Sequence, residues 1–239
     1  MFSHIGKSRT PRHNLAIASL LSFVAGLVNV VGFFSVHRLT TNVTGHFAFF
    51  IEEIFKFNFQ AAFHFALFVF AFFLGAFLAN FMVETYSRIR ENETYVLPVI
   101  SEAVILLVIA ISGNFLIQQS PDLIALSLLF AMGMQNSLVT SISKSIVRTT
   151  HLTGLFTDMG IEFSQLFFYK DKVHQIKLIK SIKLRLTIIL MFFSGGIVGG
   201  ILFDFFGIQS LILGTVLLTA GLLYDFIKIK ILLIKRHRS

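Results

Sequence analysis

Asn42-Val-Thr-Gly45 and His151-Leu-Thr-Gly154 place the same pair, a hydroxyl followed by side-chain-free backbone, in two otherwise apolar stretches 109 positions apart. Beside them stand Arg38, Thr41 and Asn29 in one case, and Arg148, Thr150, Gln135 and Asn136 in the other, with Asp158 just downstream. Such residues suit binding rather than bond breaking. A helix that starts after a break has N–H groups without intrahelical partners. Thr44 and Thr153 are placed to cap those starts, and Gly45 and Gly154 would let a ligand approach the backbone. Two short helices entering from opposite faces would aim two partial positive ends at one point, which favours an anion. In that arrangement Asn29, Gln135 and Asn136 would orient the ligand and Arg38 and Arg148 would attract its charge.

Glu52, Glu53, Asp158, Glu162 and Glu102 are candidate proton carriers if burial raises their affinity for a proton. His46, His64 and His151 can titrate near neutral pH. No His-Glu-x-x-His spacing, Gly-x-Ser-x-Gly elbow or Walker-type loop occurs, so the sequence offers no metal centre, no cofactor site and no enzymatic nucleophile. Cysteine is absent, which removes disulfides and thiolate ligands. A purely architectural use of the same residues must be weighed, because Thr and Gly recur wherever membrane helices pack closely. Gly75 and the Gly195-Gly196-x-x-Gly199-Gly200 stretch are read as packing of that kind. Asn80, like Asn29 and Asn136, is a polar group that needs a partner within an apolar segment.

The elements that would position these residues follow from hydropathy. The 239 residues are 55% hydrophobic, with mean hydropathy +0.82, as expected of a multi-pass membrane protein. Six segments are long enough to span: Leu15 to Val36, Ala61 to Val83, Tyr95 to Leu116, Leu123 to Ser143, Leu184 to Phe206 and Ser210 to Ile231. The first is too long for a signal-peptide core and is expected to remain as a span. Gly45 to Phe55 and Gly154 to Tyr169 are shorter and carry Glu52, Glu53, Asp158 and Glu162, so both read as re-entrant half-helices. With the amino terminus in the cytoplasm, this topology leaves only Arg38 and Lys56, of 20 Lys and Arg residues, on the outer face. The expected fold is therefore an all-α membrane protein of six transmembrane helices plus two half-helices. It would form a single domain over 1–239, in the inner membrane, with short basic cytoplasmic tails at both ends. The charge of +8 is explained by topology and implies no nucleic-acid partner. A basic linker over 170–185 could rest on anionic lipid, with Ile176, Ile179 and Ile182 alternating with Lys177, Lys180 and Lys183.

The breaks also belong to a longer internal correspondence. Gly26-Leu-Val-Asn29 matches Gly133-Met-Gln-Asn136, Arg38-Leu-Thr-Thr-Asn-Val-Thr-Gly45 matches Arg148-Thr-Thr-His-Leu-Thr-Gly154, and Phe72-Phe-Leu-Gly75 matches Phe192-Phe-Ser-Gly195. Repeat one covers about 14–118 and repeat two about 121–232. Each holds three spans, an odd number, so the second would insert upside down: an inverted-topology repeat, as in many secondary transporters. The same residues, with Gly-x-Gln-Asn leading to Arg-Thr-Thr-x-x-Thr-Gly and Asp158, resemble the YoaK-like family of uncharacterised small multi-pass bacterial membrane proteins across essentially the whole chain. That family usually has an acid at the position of Asn29 and Asn at that of His46. The resemblance implies a membrane domain and leaves the activity open. From the residues, the expected function is a small secondary transporter or facilitator of a small anionic or polar solute, and the alternative is a non-transporting scaffold or lipid- or partner-binding protein.

Overall fold

The structure, a computed structural model, describes residues 11–88, 95–143, 147 and 149–237. Arg148 and the amino-terminal tail, residues 1–10, lie outside the described residues. Every regular element of the described chain is a helix: α1 (Pro11–Val36), α2 (Thr44–Phe55), α3 (Phe59–Ser87), α4 (Val96–Gln119), α5 (Pro121–Ser143), α6 (Leu152–Phe168), α7 (Lys172–Phe206), a 3-10 turn (Gly207–Ser210) and α8 (Leu211–His237). Five stretches are long and apolar enough to cross a membrane: His13–Val36, Phe59–Ser87, Val96–Gln119, Pro121–Ser141 and Lys172–Ile227, the last interrupted by the 3-10 turn.

Local chemistry sets the boundaries. Pro11 and Pro121 open α1 and α5, where a missing N–H costs nothing. Asn58 caps α3 by accepting from the Ala61 N–H, and Asp171 caps α7 by accepting from the His174 N–H at 2.9 Å. His37, in the left-handed region at φ 51, ends α1 by donating its N–H to the Phe33 carbonyl. Gly207, at φ 57, opens the turn between α7 and α8. The basic stretch after Lys170 proves continuous with the span that follows it. It forms the first turns of α7, with Leu178 and Ile182 buried against the protein and Ile176 and Ile179 exposed.

Four Phe-x-x-Gly sequences fix the packing. Gly26 of α1 lies on the Phe192 carbonyl of α7, and Gly195 of α7 lies on the Phe23 carbonyl of α1. Gly133 of α5 lies on the Phe72 carbonyl of α3, and Gly75 of α3 on the Phe130 carbonyl of α5. At each position a Cβ would strike the partner's backbone, so only glycine permits the approach. Two closely packed pairs result, α1 with α7 and α3 with α5.

Contacts along the helices give their directions. Residues 23, 27 and 34 of α1 meet 195, 199 and 203 of α7, so these two run parallel. Residues 64, 75 and 80 of α3 meet 122, 130 and 141 of α5, again parallel. By contrast Leu21 of α1 meets Gln135 of α5 while Gly32 meets Leu128, an antiparallel crossing. The Thr215 hydroxyl of α8 donates to the Ala103 carbonyl of α4 while Gly113 meets Ile208, antiparallel as well. Helices at corresponding places in the two halves, α1 with α5 and α4 with α8, thus point opposite ways. The short helices follow the same exchange, α2 folding back on α3 and α6 on α7.

The centre belongs to α1 and α5, each 61% buried over its apolar window, against 22% for α3. Outward-facing Phe70, Phe73, Phe77 and Phe81 form a ring-to-ring ladder along α3, the kind of face that lipid tails cover.

Candidate functional site at the two chain breaks

Each break lies against a central helix and is held there by threonine hydroxyls. In the first, Thr40 donates to the Val28 carbonyl at 3.3 Å and Thr41 donates to Asn29 Oδ1 at 2.7 Å. Gly32 makes room, since a Cβ there would strike the Thr40 side chain. In the second, Thr149 donates to Asn136 Oδ1 at 3.3 Å and accepts from Gln135 Nε2 at 3.1 Å. Gln135 Nε2 also reaches the Leu21 carbonyl of α1, and Asn136 donates to the Met132 carbonyl of its own helix. Gln135 Oε1 and the Ser22 hydroxyl remain buried with no partner among the described residues. The Asn–Thr pairs join side chain to side chain and so tie each irregular segment to its central helix.

The geometry corrects the expectation that the two short helices meet at a shared pocket. Among the described residues no substantial packing joins α2 to α6. The first break is tied to α1 at Val28 and Asn29, and the second comes level with α1 at Leu21, so the anchors are separated by about 11 Å of helix at 1.5 Å per residue. Val24, Ala25, Leu129 and Met132, all fully buried, lie in the α1 and α5 stretches between these anchors. The cap roles expected of Thr44 and Thr153 are corrected too. Val43 and His151 occupy the cap positions, with no side-chain cap bond, and Thr44 and Thr153 are exposed. The hydroxyls that matter are those preceding each helix, drawn back onto Asn29 and Asn136. Space beside Gly45 and Gly154 is taken by the Leu39 side chain and the His151 imidazole, so neither glycine is open to a ligand in this arrangement.

What the first break has instead is a cavity of about 210 Å³ lined by Phe33, His37, Arg38, Leu39, His46, Phe49 and Phe65. His46 is fully buried on α2 and approaches the Leu39 carbonyl through Nε2 at 2.6 Å. A carbonyl only accepts, so Nε2 carries the proton and Nδ1, buried and without a partner among the described residues, holds a lone pair. Burial pushes this imidazole below the ordinary histidine range, and the Arg38 charge adds to that, against the opposing pull of the Leu39 hydrogen bond. Arg38 Nε stands 3.4 Å from Asp122 Oδ1 without hydrogen-bond geometry, leaving both atoms unsatisfied, while Asp122 Oδ2 is 2.9 Å from His64 Nδ1.

The second break is built differently. Arg185 of α7 pairs with Asp158 at 3.0 Å and with Glu162 at 3.0 and 3.1 Å, and Ser181 donates to Glu162 at 2.6 Å. Carrying across the registers that relate Gly45 to Gly154 and Phe72 to Phe192, Phe49 corresponds to Asp158, Phe65 to Arg185 and His46 to Leu155. One scaffold therefore carries an aromatic, hollow contact in the first half, with the Phe49 and Phe65 rings 5.4 Å apart, and an ionic contact in the second. Thr150 is half-buried beside the second break. Glu102 is fully buried in α4 with neither oxygen partnered among the described residues. At the turn after α2, hydrogen bonds from Lys56 to Glu52 and Glu53 hold its ammonium above the usual lysine range.

Sequence reasoning had grouped Asn29, Thr41, Gln135 and Asn136 near the breaks. It missed Asp122, Gly32 and the Phe33, Phe49 and Phe65 walls. Asp122 carried one signal, an acid in the first turn after Pro121; the phenylalanines carried none in a chain with 30 of them.

Apolar helices packed through backbone-to-glycine contacts, with polar chain breaks folded against the two most enclosed helices, define a multi-pass helical membrane protein. The chain belongs to the family described as "Protein of unknown function (DUF1275)", whose model matches residues 17–224. This agrees with the resemblance to the YoaK-like family, also uncharacterised. No curated protein and no solved structure matches the chain.

Proposed function

We propose that the protein is a small secondary transporter or facilitator of a small anionic or polar solute, with six spans and two half-helices arranged as an inverted-topology repeat in the inner membrane and both termini cytoplasmic. The observation that carries this reading is the reciprocal packing of the halves. Corresponding helices run antiparallel, each half has its own polar break, and the breaks lie at different levels of a sealed centre. Alternating access needs that combination, two related half-sites and a closed barrier that can exchange sides. In this arrangement the first break carries the cavity beside Arg38 and His46, and the second carries the ion pairs of Arg185 with Asp158 and Glu162. Rocking of the α1–α7 pair against the α3–α5 pair would alternate access between the two breaks. Glu102 is the candidate for coupling to protons, and the exposed isoleucines and lysines at the start of α7 suit an anionic lipid surface. The reading includes no catalytic step, metal or cofactor.

Purified protein in liposomes tests it. Uptake of at least one solute from a panel of carboxylates, inorganic phosphate, sulfate, nitrate and amino acids is expected, reduced at least tenfold by Asn29→Leu in protein that still folds. No flux of any solute by folded protein would overturn the reading. The second reading, a non-transporting membrane scaffold, is favoured by the apolar seal around Ala25 and Met132 and by that null result.

A further inference from the structure

The cavity at the first break has a composition more specific than its location. Phe33, Phe49 and Phe65 supply apolar walls and Arg38 a cation, and sealed just beneath them His46 holds an acceptor atom without a donor among the described residues. Its volume, about 210 Å³, exceeds the roughly 150 Å³ that holds a benzene ring, leaving room for a ring with one or two small polar substituents. We infer that this cavity binds a single-ring aromatic carboxylate bearing a hydroxyl, its ring among the phenylalanines and its carboxylate on Arg38, with the lining shifting on binding to uncover the buried His46 Nδ1 for the ligand's hydroxyl. The inference deepens the transport reading by naming a solute class for the same site and rests on that reading for its physiological sense.

Three features argue for it over a simple inorganic anion. Most of the lining is aromatic, which a bare anion cannot use and a ring can. The proton of His46 is committed to the Leu39 carbonyl, so the free nitrogen calls for a ligand that donates. Arg38 is only loosely held, since its Nε and the facing Asp122 Oδ1 are both unsatisfied, so an incoming carboxylate can take the guanidinium without first breaking a formed hydrogen bond. Asp122 opposes the ligand as a like charge and as a competitor for Arg38, and His64 holds its other oxygen.

The test is binding to the purified full chain by calorimetry, with 4-hydroxybenzoate, benzoate, toluene, acetate and inorganic phosphate as probes. The expected order is 4-hydroxybenzoate tightest, benzoate weaker, and acetate, toluene and phosphate at least tenfold weaker than 4-hydroxybenzoate. Arg38→Gln should weaken both aromatic acids tenfold or more. His46→Leu, which installs the residue found at the corresponding position 155, should abolish the preference for 4-hydroxybenzoate over benzoate, the ratio of the two affinities falling to about one. Asp122→Asn should tighten both several-fold, an effect that a merely structural Asp122 would not produce. Equal binding of phosphate, or aromatic binding indifferent to all three folded variants, overturns the inference. Repeating the titration in bilayers with and without phosphatidylglycerol separates a free acid from a lipid headgroup: competition by the anionic lipid stronger than by 4-hydroxybenzoate overturns the solute assignment. Aromatic binding without flux would sink the transport reading alone, and flux of another solute without aromatic binding would sink this inference alone.

Discussion

Thr40 and Thr149 place a hydroxyl bond at each break as Thr44 and Thr153 were expected to, yet they act on the central helices rather than on the helix that follows. A hydroxyl can satisfy a carbonyl, an amide oxygen or a backbone N–H with similar energy, so sequence places the polar group without choosing its partner. Asn29 and Asn136 were legible as a matched pair, and each accepts from a threonine of its own break. His46 was legible only as a titratable group. Its lone pair became meaningful when the Leu39 carbonyl was found on the other nitrogen. Glu102 is the sharpest residue-scale case: a carboxyl with no partner among the described residues carries a desolvation cost that nothing visible offsets. Glu102→Met should therefore raise stability, by roughly 1 kcal/mol or more, read as a higher melting temperature in detergent. If Glu102 is the coupling group, the same variant gains stability while losing flux; a lower melting temperature would show that the carboxyl has a structural partner.

At the scale of the helix, the decisive chemistry is the absence of a side chain. Two Phe-x-x-Gly sequences, ending at Gly75 and Gly195, were visible as a matched pair with a packing role, and packing is where they are found. The other two, ending at Gly26 and Gly133, stand in the sequence as the start of the Gly-x-x-Asn match; only the packed structure shows all four as one device. Gly26→Leu would drive a side chain into the Phe192 backbone and should abolish folded protein or cost about 3 kcal/mol or more. Gly160→Ala in α6 is the contrast. Nothing lies within 4 Å of the added methyl, so it should stabilise by about 0.5–1 kcal/mol through helix propensity. Opposite shifts in thermal unfolding check both, and loss of stability in both would mean that α6 packs against something else at Gly160. The short helices show the same division of information. Their existence was readable from length and charge, whereas α2 docks through Phe49 and Phe65 and α6 through Arg185, a difference set by side chains that the Thr-Gly motifs do not include.

For the whole molecule, the alternation of helix direction is the strongest constraint. α1, α4 and α7 point one way and α3, α5 and α8 the other, so α2 and α6 each join a helix to one that returns from the same end. On the proposed six-span reading, the chain on either side of α2 lies on one face of the membrane. Single cysteines are clean probes because the protein has none. His37→Cys and Phe57→Cys should label from the same face of sealed vesicles, and His151→Cys and Lys170→Cys from the opposite face. Labelling of positions 37 and 57 from opposite faces would mean that α2 crosses, and the six-span arrangement would be wrong.

The sequence by itself determined that the chain is helical and membrane-embedded, that two polar breaks recur in one order, and that glycines mark close contacts. These properties follow from period, hydropathy and side-chain size, all of which are local. Only the tertiary structure decided that the breaks lie at separate levels of the α1–α5 crossing, with an apolar seal between them and a cavity beside one. That outcome depends on which backbones approach closely enough to exclude a Cβ, and so on the mutual register of helices more than a hundred residues apart in the chain.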